Sequence, residues 1–238
     1  MIQVWLSAAG LALATFIGVG LGFFIKNVPD KWNDRILGFC AGFMLGVSCI
    51  EILPEAFEAA GEGNWWIALG GAVLGLVFMK LMHHAVPHHG HDNRIEAASL
   101  FVLAIALHKI PDGIATGVGF NAEDTTAAWT VTLGIALHSI PEGMAIIAPL
   151  LLAGVSRLKT LLIALALVVL EVGGVWLGYG LGSISEVFFA IMLAFSGASL
   201  IYVVFEEMIP AAYSHGNKSI AAMAVTAGIF AMMLVEAI

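Results

Sequence analysis

Charged residues are scarce in this sequence. Asp, Glu, Lys and Arg make up 11% of the 238 residues, whereas 61% are hydrophobic. A soluble globular domain usually has about 25% charged residues, and so few charges cannot cover a surface that faces water. We therefore expect most of the surface to face lipid. The basic residues form no patch or stripe, which excludes nucleic acid as a partner.

Cysteine is rarer still. The two cysteines, Cys40 and Cys49, lie in one apolar stretch, and we interpret them as small packing residues and not as a disulfide framework. No Lys or Arg precedes the first apolar stretch, and the first basic residue, Lys26, follows it. A secretory signal peptide has the opposite polarity. We expect a retained first helix whose N-terminus lies outside.

Long apolar runs make up most of the sequence. They are continuous and do not alternate with polar residues, which disfavours a membrane β-barrel. Helices of roughly 20 residues are long enough to cross a bilayer, and polar breaks divide the runs into eight. We predict an all-α, polytopic membrane protein with one transmembrane domain over residues 1–238. The predicted spans 1 to 8 cover residues 3–25, 36–58, 65–84, 96–119, 127–152, 159–182, 187–212 and 219–237.

The charges between the runs predict the orientation of the spans. Every basic residue except Lys109 falls at an odd-numbered loop, and the even-numbered loops carry only acidic charges. Because positive charge stays on the cytoplasmic side, we expect both termini outside. The basic residues are Lys26, Lys31 and Arg35, then Lys80 and Arg94, then Arg157 and Lys159, then Lys218. The acidic residues are Glu58, Glu62, Glu123, Asp124 and Glu186.

One motif occurs twice. Residues 105–115 read IALHKIPDGIA and residues 135–145 read IALHSIPEGMA, 30 residues further on. The first copy lies in span 4 and the second in span 5, which run in opposite directions through the membrane. A pseudo-two-fold axis in the membrane plane relates such inverted repeats. Spans 1–3 and 6–8 are then the flanking halves.

Each copy of the motif carries one histidine and one acid. His108 and Asp112 are four residues apart and share a helix face, as do His138 and Glu142. At about 1.5 Å per residue all four lie near the middle of a ~30 Å hydrocarbon core. A carboxylate there costs roughly 3 kcal/mol and persists when it is paired or binds something. Imidazole and carboxylate suit zinc and its first-row neighbours.

The pattern H-x-x-P-[DE]-G on two adjacent helices resembles the ZIP (Zrt/Irt-like protein) family of divalent-metal transporters. The eight-helix count, the outward termini and a His-rich third loop at residues 85–95 are similar too. The resemblance implies transport of a dication toward the cytoplasm across a bacterial inner membrane by a homodimer without an organic cofactor. Zinc is the first expectation. The sequence does not separate it from Fe²⁺, Mn²⁺, Co²⁺ or Cd²⁺.

The resemblance also implies a set of metal ligands. His108, Asp112, His138 and Glu142 form its centre, and Ser139 lies beside them. Glu171 on span 6 and Met44 on span 2 match further positions that border the family's site.

The sequence departs from the family at Lys109. The family commonly has an asparagine at this position, where it helps to hold a second metal. An ammonium group is no ligand and brings positive charge. We therefore predict that Lys109 occupies the second metal position and neutralises Glu142 or Glu171.

Further polar residues predict a path to and from the site. Met44, Ser48, Glu51 and Glu55 share one stripe of span 2 that leads outward, where acidic residues concentrate cations. Glu206 and Glu207 lie near the cytoplasmic end of span 7. The third loop and the helix end before it contribute His83, His84, His88, His89 and His91 as acceptors on the inner side.

Other interpretations remain open at this point. One alternative makes Asp112 and Glu142 structural partners of Lys109 that bind no metal. Another makes Met44 a core residue and not a ligand. A membrane metalloenzyme or a metal sensor could use the same ligands. The HExxH zinc-protease motif is absent. A di-iron oxygenase needs several histidine-rich clusters, whereas this sequence has one, in a single loop, and no separate signalling domain remains.

Overall fold

All regular structure in the described part of the chain is helical. The structure is a computed structural model, and it describes residues 1–25, 30–85, 93–121, 125–181 and 186–237. Its α-helices are α1 (Ile2–Ile25), α2 (Asp30–Gly46), α3 (Leu53–Ala59), α4 (Trp65–Ala85), α5 (Asn93–Gly119), α6 (Thr126–Leu152), α7 (Arg157–Gly180), α8 (Glu186–Val203), α9 (Ile209–Tyr213) and α10 (Lys218–Glu236). The all-α prediction is confirmed.

Eight helical segments within the described residues are long and apolar enough to cross a membrane. Span 2 joins α2 to α3, span 7 joins α8 to α9, and the other spans are α1, α4, α5, α6, α7 and α10 in chain order. Spans 2, 4 and 5 are the most buried, and spans 3 and 8 expose most of their side chains. Exposed residues such as Leu74 and Phe230 give these outer spans the apolar surface that lipid requires.

Spans 2 and 7 are interrupted by π-helical segments, which the sequence analysis did not predict. The segments are Val47–Ile52 and Val204–Met208, and Pro54 or Pro210 follows two residues after each. Proline lacks an N–H and its ring collides with the carbonyl four residues earlier, and the wider π turn relieves that collision. In each segment a glutamate, Glu51 or Glu207, lies three residues before the proline.

The eight spans pack in two groups. The first helix group comprises spans 1, 4, 5 and 6, in which α1 packs along α6 and α5 along α7. The second helix group comprises spans 2, 3, 7 and 8, in which α2 packs along α10 and α4 along α8. The groups meet where α5 touches α8 and where α6 touches α2. This pattern of helix contacts stays the same when the spans of the two halves are exchanged, as the inverted repeat predicts. The exchanged pairs are spans 1 and 6, 2 and 7, 3 and 8, and 4 and 5.

Glycine contacts show the same symmetry at residue level. A Cβ on Gly174 would lie 2.7 Å from the carbonyl oxygen of Ile110, and a Cβ on Gly18 would strike the carbonyl of Ile140. The two glycines are 156 residues apart, which is the offset between spans 1 and 6. The two isoleucines are 30 residues apart, which is the offset between spans 4 and 5. Only a residue without a side chain lets the backbones of spans 1 and 5, or of spans 4 and 6, come this close.

Candidate metal site

The four predicted ligands meet in two reciprocal pairs between spans 4 and 5. His108 Nε2 lies 2.7 Å from Glu142 Oε1, and His138 Nε2 lies 3.2 Å from Asp112 Oδ2. Each histidine therefore pairs with the acid of the other helix. All four side chains are buried, so none is held by bulk water.

The glycine after each acid brings a third and a fourth helix to the site. A Cβ on Gly113 would lie 2.9 Å from the Cα of Gly174 on span 6, and one on Gly143 would lie 2.6 Å from the carbonyl oxygen of Thr15 on span 1. These contacts bring spans 6 and 1 against the ligand-bearing turns. They explain why the side chains of Glu171 and Thr15 reach the buried cluster.

Lys109 is the centre of a second cluster beside the ligands. Its Nζ lies 2.8 Å from Glu142 Oε2 and 2.7 Å from Glu171 Oε1, and it donates a hydrogen bond of 2.8 Å to Ser139 Oγ. The side chains of Lys109, Glu142 and Glu171 are completely buried. Glu142 thus belongs to both clusters, with one oxygen toward His108 and the other toward Lys109.

Both oxygens of Glu171 are engaged by protein groups. Oε1 contacts Lys109 and accepts a 3.2 Å hydrogen bond from Ser139, and Oε2 accepts one of 3.2 Å from Thr15 Oγ1. The sequence analysis missed Thr15. The offset of 156 residues could have found it, because Thr15 holds the position on span 1 that Glu171 holds on span 6.

A second residue at the site that the sequence analysis missed is Ser196 on span 7. Its hydroxyl donates a hydrogen bond to Asp112 Oδ1. Asp112 is therefore held on one oxygen by His138 and on the other by Ser196. Serines also occur at other places in the apolar spans, and no spacing marks this one.

The charge of the buried site suits a dication. Asp112, Glu142 and Glu171 carry three negative charges and Lys109 carries one positive charge, which leaves two negative charges when the imidazoles are neutral. Buried polar atoms are normally satisfied by hydrogen bonds. Here both nitrogens of His108, Nδ1 of His138 and both oxygens of Glu142 form no hydrogen bond of good geometry with any described group, although some lie close to charged neighbours. Nitrogen and oxygen atoms of this kind are what zinc coordinates.

The ligands are paired with one another and do not surround a common point. Within the described ranges, no three His, Cys, Asp or Glu side chains are arranged to hold a metal ion as they stand. Metal binding here requires the His108–Glu142 and His138–Asp112 pairs to open by side-chain rotation.

The predicted outer residues of span 2 become less buried from Met44 and Ser48 to Glu51 and Glu55. Met44 is buried in the main apolar cluster, and Ser48 donates its hydrogen bond to the Met44 carbonyl. Glu51 is half-buried, and its Oε1 lies where a Cβ on Gly134 of span 5 would be. Its Oε2 accepts no hydrogen bond from described groups. Glu55 is also half-buried.

Two of the residues predicted for the other end of the path, His83 and Glu207, line a cavity. His83 lies 3.8 Å from Glu206 and 3.9 Å from Glu207. The cavity extends between spans 3, 4 and 7 as far as Leu107, the residue before His108. It is lined by Met79, Met82, His83, Leu103, Leu107, Tyr202, Val203 and Glu207. His84 is exposed, and the predicted acceptors His88, His89 and His91 lie outside the described residues.

An eight-span helical protein with paired histidines and carboxylates buried between two inverted helices has the architecture of a membrane metal transporter. Comparison with known proteins supports this class. The family described as ZIP zinc transporter matches residues 88–236. This chain belongs to the ZIP family. The match confirms the family that the doubled motif predicted.

Several curated relatives match almost the whole chain. The zinc transporter ZIPB of Bordetella bronchiseptica is 30% identical over 96% of this chain and 78% of its own length. The zinc transporter ZupT of Corynebacterium glutamicum is 34% identical over 96% of this chain and 97% of its own. The zinc transporter GufA of Myxococcus xanthus is 34% identical over 87% and 90%. The chain is thus an integral, multi-pass membrane protein of this family.

Proposed function

We propose that this protein carries a divalent transition-metal ion, zinc first, toward the cytoplasm through a site formed by His108, Asp112, His138 and Glu142. The two reciprocal histidine–carboxylate pairs carry the proposal. Buried ionisable side chains at the middle of a membrane protein persist when they are paired or when they bind something. The names of the relatives, all zinc transporters, support zinc as the ion.

The metal binds by replacing the protein pairs. His108 Nε2 and Glu142 Oε1 are both zinc ligands, and a dication that enters between them satisfies both. The same holds for His138 Nε2 and Asp112 Oδ2. The two net negative charges of the buried cluster then become zero, which removes the cost of isolated charge in the membrane. Fe²⁺, Mn²⁺, Co²⁺ and Cd²⁺ fit the same donors.

Lys109 makes the site mononuclear in our proposal. Its ammonium lies within 2.8 Å of Glu142 and of Glu171, where a second dication would otherwise balance these carboxylates. Glu171 has no free oxygen, because Lys109, Ser139 and Thr15 engage both. We assign Glu171 and Ser139 to the support of Lys109 and not to the metal, which departs from the ligand set that the family resemblance implied.

The path of the ion follows the acidic residues on either side. The basic loops favour termini outside and the end of span 7 inside. Metal enters past Glu55 and Glu51, which attract cations by their charge, and leaves past His83, Glu206 and Glu207 along the cavity beside Leu107. Location in the inner membrane and assembly as a homodimer rest on the family resemblance.

Uptake of ⁶⁵Zn²⁺ into proteoliposomes tests the proposal. Wild-type protein should accumulate zinc, and Glu142→Ala should not, because Glu142 belongs to both clusters. Glu62→Ala, an exposed acid in the loop after span 2, is the matched control and should transport like wild type. Equal uptake by wild type and Glu142→Ala would show that the site is misplaced. If wild-type protein takes up no divalent metal at all, a metalloenzyme or a metal sensor would be favoured instead. No feature of the described residues supports either of these.

A further inference from the structure

We propose that Ser196 is a positioning residue for the metal site, and that through it the second helix group controls how tightly the first group holds the ion. The inference rests on the proposed function. It adds a residue outside spans 4 and 5, which bear the four ligands, and it concerns the strength of binding and not the identity of the ligands.

Ser196 acts on one ligand, Asp112. Both side chains are buried, with 1% and 2% of their surface exposed. The Ser196 hydroxyl donates to Oδ1, and His138 Nε2 lies 3.2 Å from Oδ2. A carboxylate held on one oxygen by a fixed hydroxyl presents the other oxygen in a defined direction. Such hydrogen bonds to ligand atoms orient the ligand and tune its affinity for the metal.

The hydrogen bond joins the two helix groups at the site. The other side-chain contacts of the buried cluster lie within spans 1, 4, 5 and 6, as between Thr15 and Glu171. Contacts such as that of His83 with Glu206, and of Asp34 with His215 and Asn217, lie within the second group. Among the side-chain hydrogen bonds between described residues, that of Ser196 with Asp112 is the one that crosses from one group to the other.

This position makes the hydrogen bond dependent on conformation. α5 and α8 must be in their present register for Ser196 to reach Asp112. A shift of one group against the other by a single helical turn, about 5.4 Å, breaks the bond and frees Asp112 to rotate. The site then holds the metal strongly in the register described and less strongly after the shift. A carrier needs such a difference in affinity to release its ion.

Zinc binding to purified protein in detergent, measured by competition with a chelating dye, tests the proposal. Ser196→Ala should raise the Kd by about tenfold, the order expected when a hydrogen bond to a charged group is lost. The KM for zinc uptake should rise with it. Ser199→Ala is the matched control, since Ser199 is buried three residues later on the same helix and its hydroxyl makes no hydrogen bond to described groups. It should leave both constants unchanged.

A double mutant separates positioning from packing. In an Asp112→Ala background, Ser196→Ala should cause no further loss of affinity, because its partner is gone. Unchanged Kd and KM in Ser196→Ala would overturn the proposal, and so would a loss that persists without Asp112 or that equals the loss in Ser199→Ala. If wild type and Glu142→Ala transport alike, the proposed function itself fails. A failure confined to Ser196 leaves the proposed function intact.

Discussion

Thr15 and Glu171 touch one another at the centre of the molecule, with Oγ1 donating to Oε2 over 3.2 Å. They hold the same position in the two halves of the inverted repeat, one on span 1 and one on span 6. Spans 4 and 5 show the same relationship. Lys109 on span 4 and Ser139 on span 5 hold equivalent positions, 30 residues apart, and are in contact with one another. The backbone is therefore nearly symmetric where the chemistry is not. One half of the centre carries the Lys109–Glu171 charge pair, and the other half carries two hydroxyls.

Removing the threonine hydroxyl tests its support of Glu171. Thr15→Val keeps the shape but leaves Glu171 Oε2 buried without its donor, so the free energy of unfolding should fall by about 1.5–3 kcal/mol. Thermal unfolding in detergent measures the change. Ser7→Ala on the same helix removes a buried hydroxyl that donates to the Val4 carbonyl of its own helix, and it should change stability much less. Equal effects of the two substitutions would contradict the assigned role.

Lys109→Asn tests the mononuclear site. Without the ammonium, Glu142 and Glu171 are two buried negative charges, and a second dication is the natural partner for them. The number of zinc ions per chain, measured by elemental analysis after dialysis, should rise from one to two. Zinc should also raise the melting temperature more than it does in wild type. In Lys159→Asn, where an exposed lysine is replaced, the count should stay at one. A count of two in wild type would refute the prediction.

Two adjacent glycines on span 6 should respond in opposite directions to alanine. A Cβ on Gly174 would lie 2.7 Å from the Ile110 carbonyl oxygen and 3.0 Å from the Cα of Gly113, whereas a Cβ on Gly173 would meet open space. Gly174→Ala should therefore destabilise the protein by about 1–3 kcal/mol and impair zinc binding, because span 4 must move. Gly173→Ala should leave stability unchanged or raise it by up to about 1 kcal/mol. Thermal melting curves of the two variants and of wild type measure both changes in stability.

Glu51→Gln tests the outer path. The half-buried carboxylate faces span 5 at Gly134, and its charge should raise the local concentration of cations on the way to His138. Removing that charge should raise the KM for external zinc several-fold with little effect on stability. Glu62→Gln, which removes an exposed charge in the following loop, serves as the control. A KM that is unchanged in Glu51→Gln would place the entry elsewhere.

The sequence predicted the spans and the centre of the site because both depend on local spacing. Apolar runs define spans, and a histidine and an acid four residues apart must share a face whatever the helix packs against. The role of Ser196 depends on which helix lies opposite Asp112, and only tertiary packing decides that. The reciprocal pairing of His108 with Glu142 was not predicted for the same reason.

The π-helical segments were missed although a signal exists. Pro54 and Pro210 each follow a glutamate by three residues, and the two copies are 156 residues apart. Pro111 and Pro141 lie inside helices assigned as α throughout. A proline alone therefore does not predict a π segment in this fold.

The close approach at Gly18 and Gly174 limits how this molecule can move. Where two backbones touch with no side chain between them, neither helix can turn or slide by one residue without a collision, so span 1 should move together with span 5, and span 4 together with span 6. Movement of one helix group against the other is then left to the seam at which α5 meets α8 and α6 meets α2.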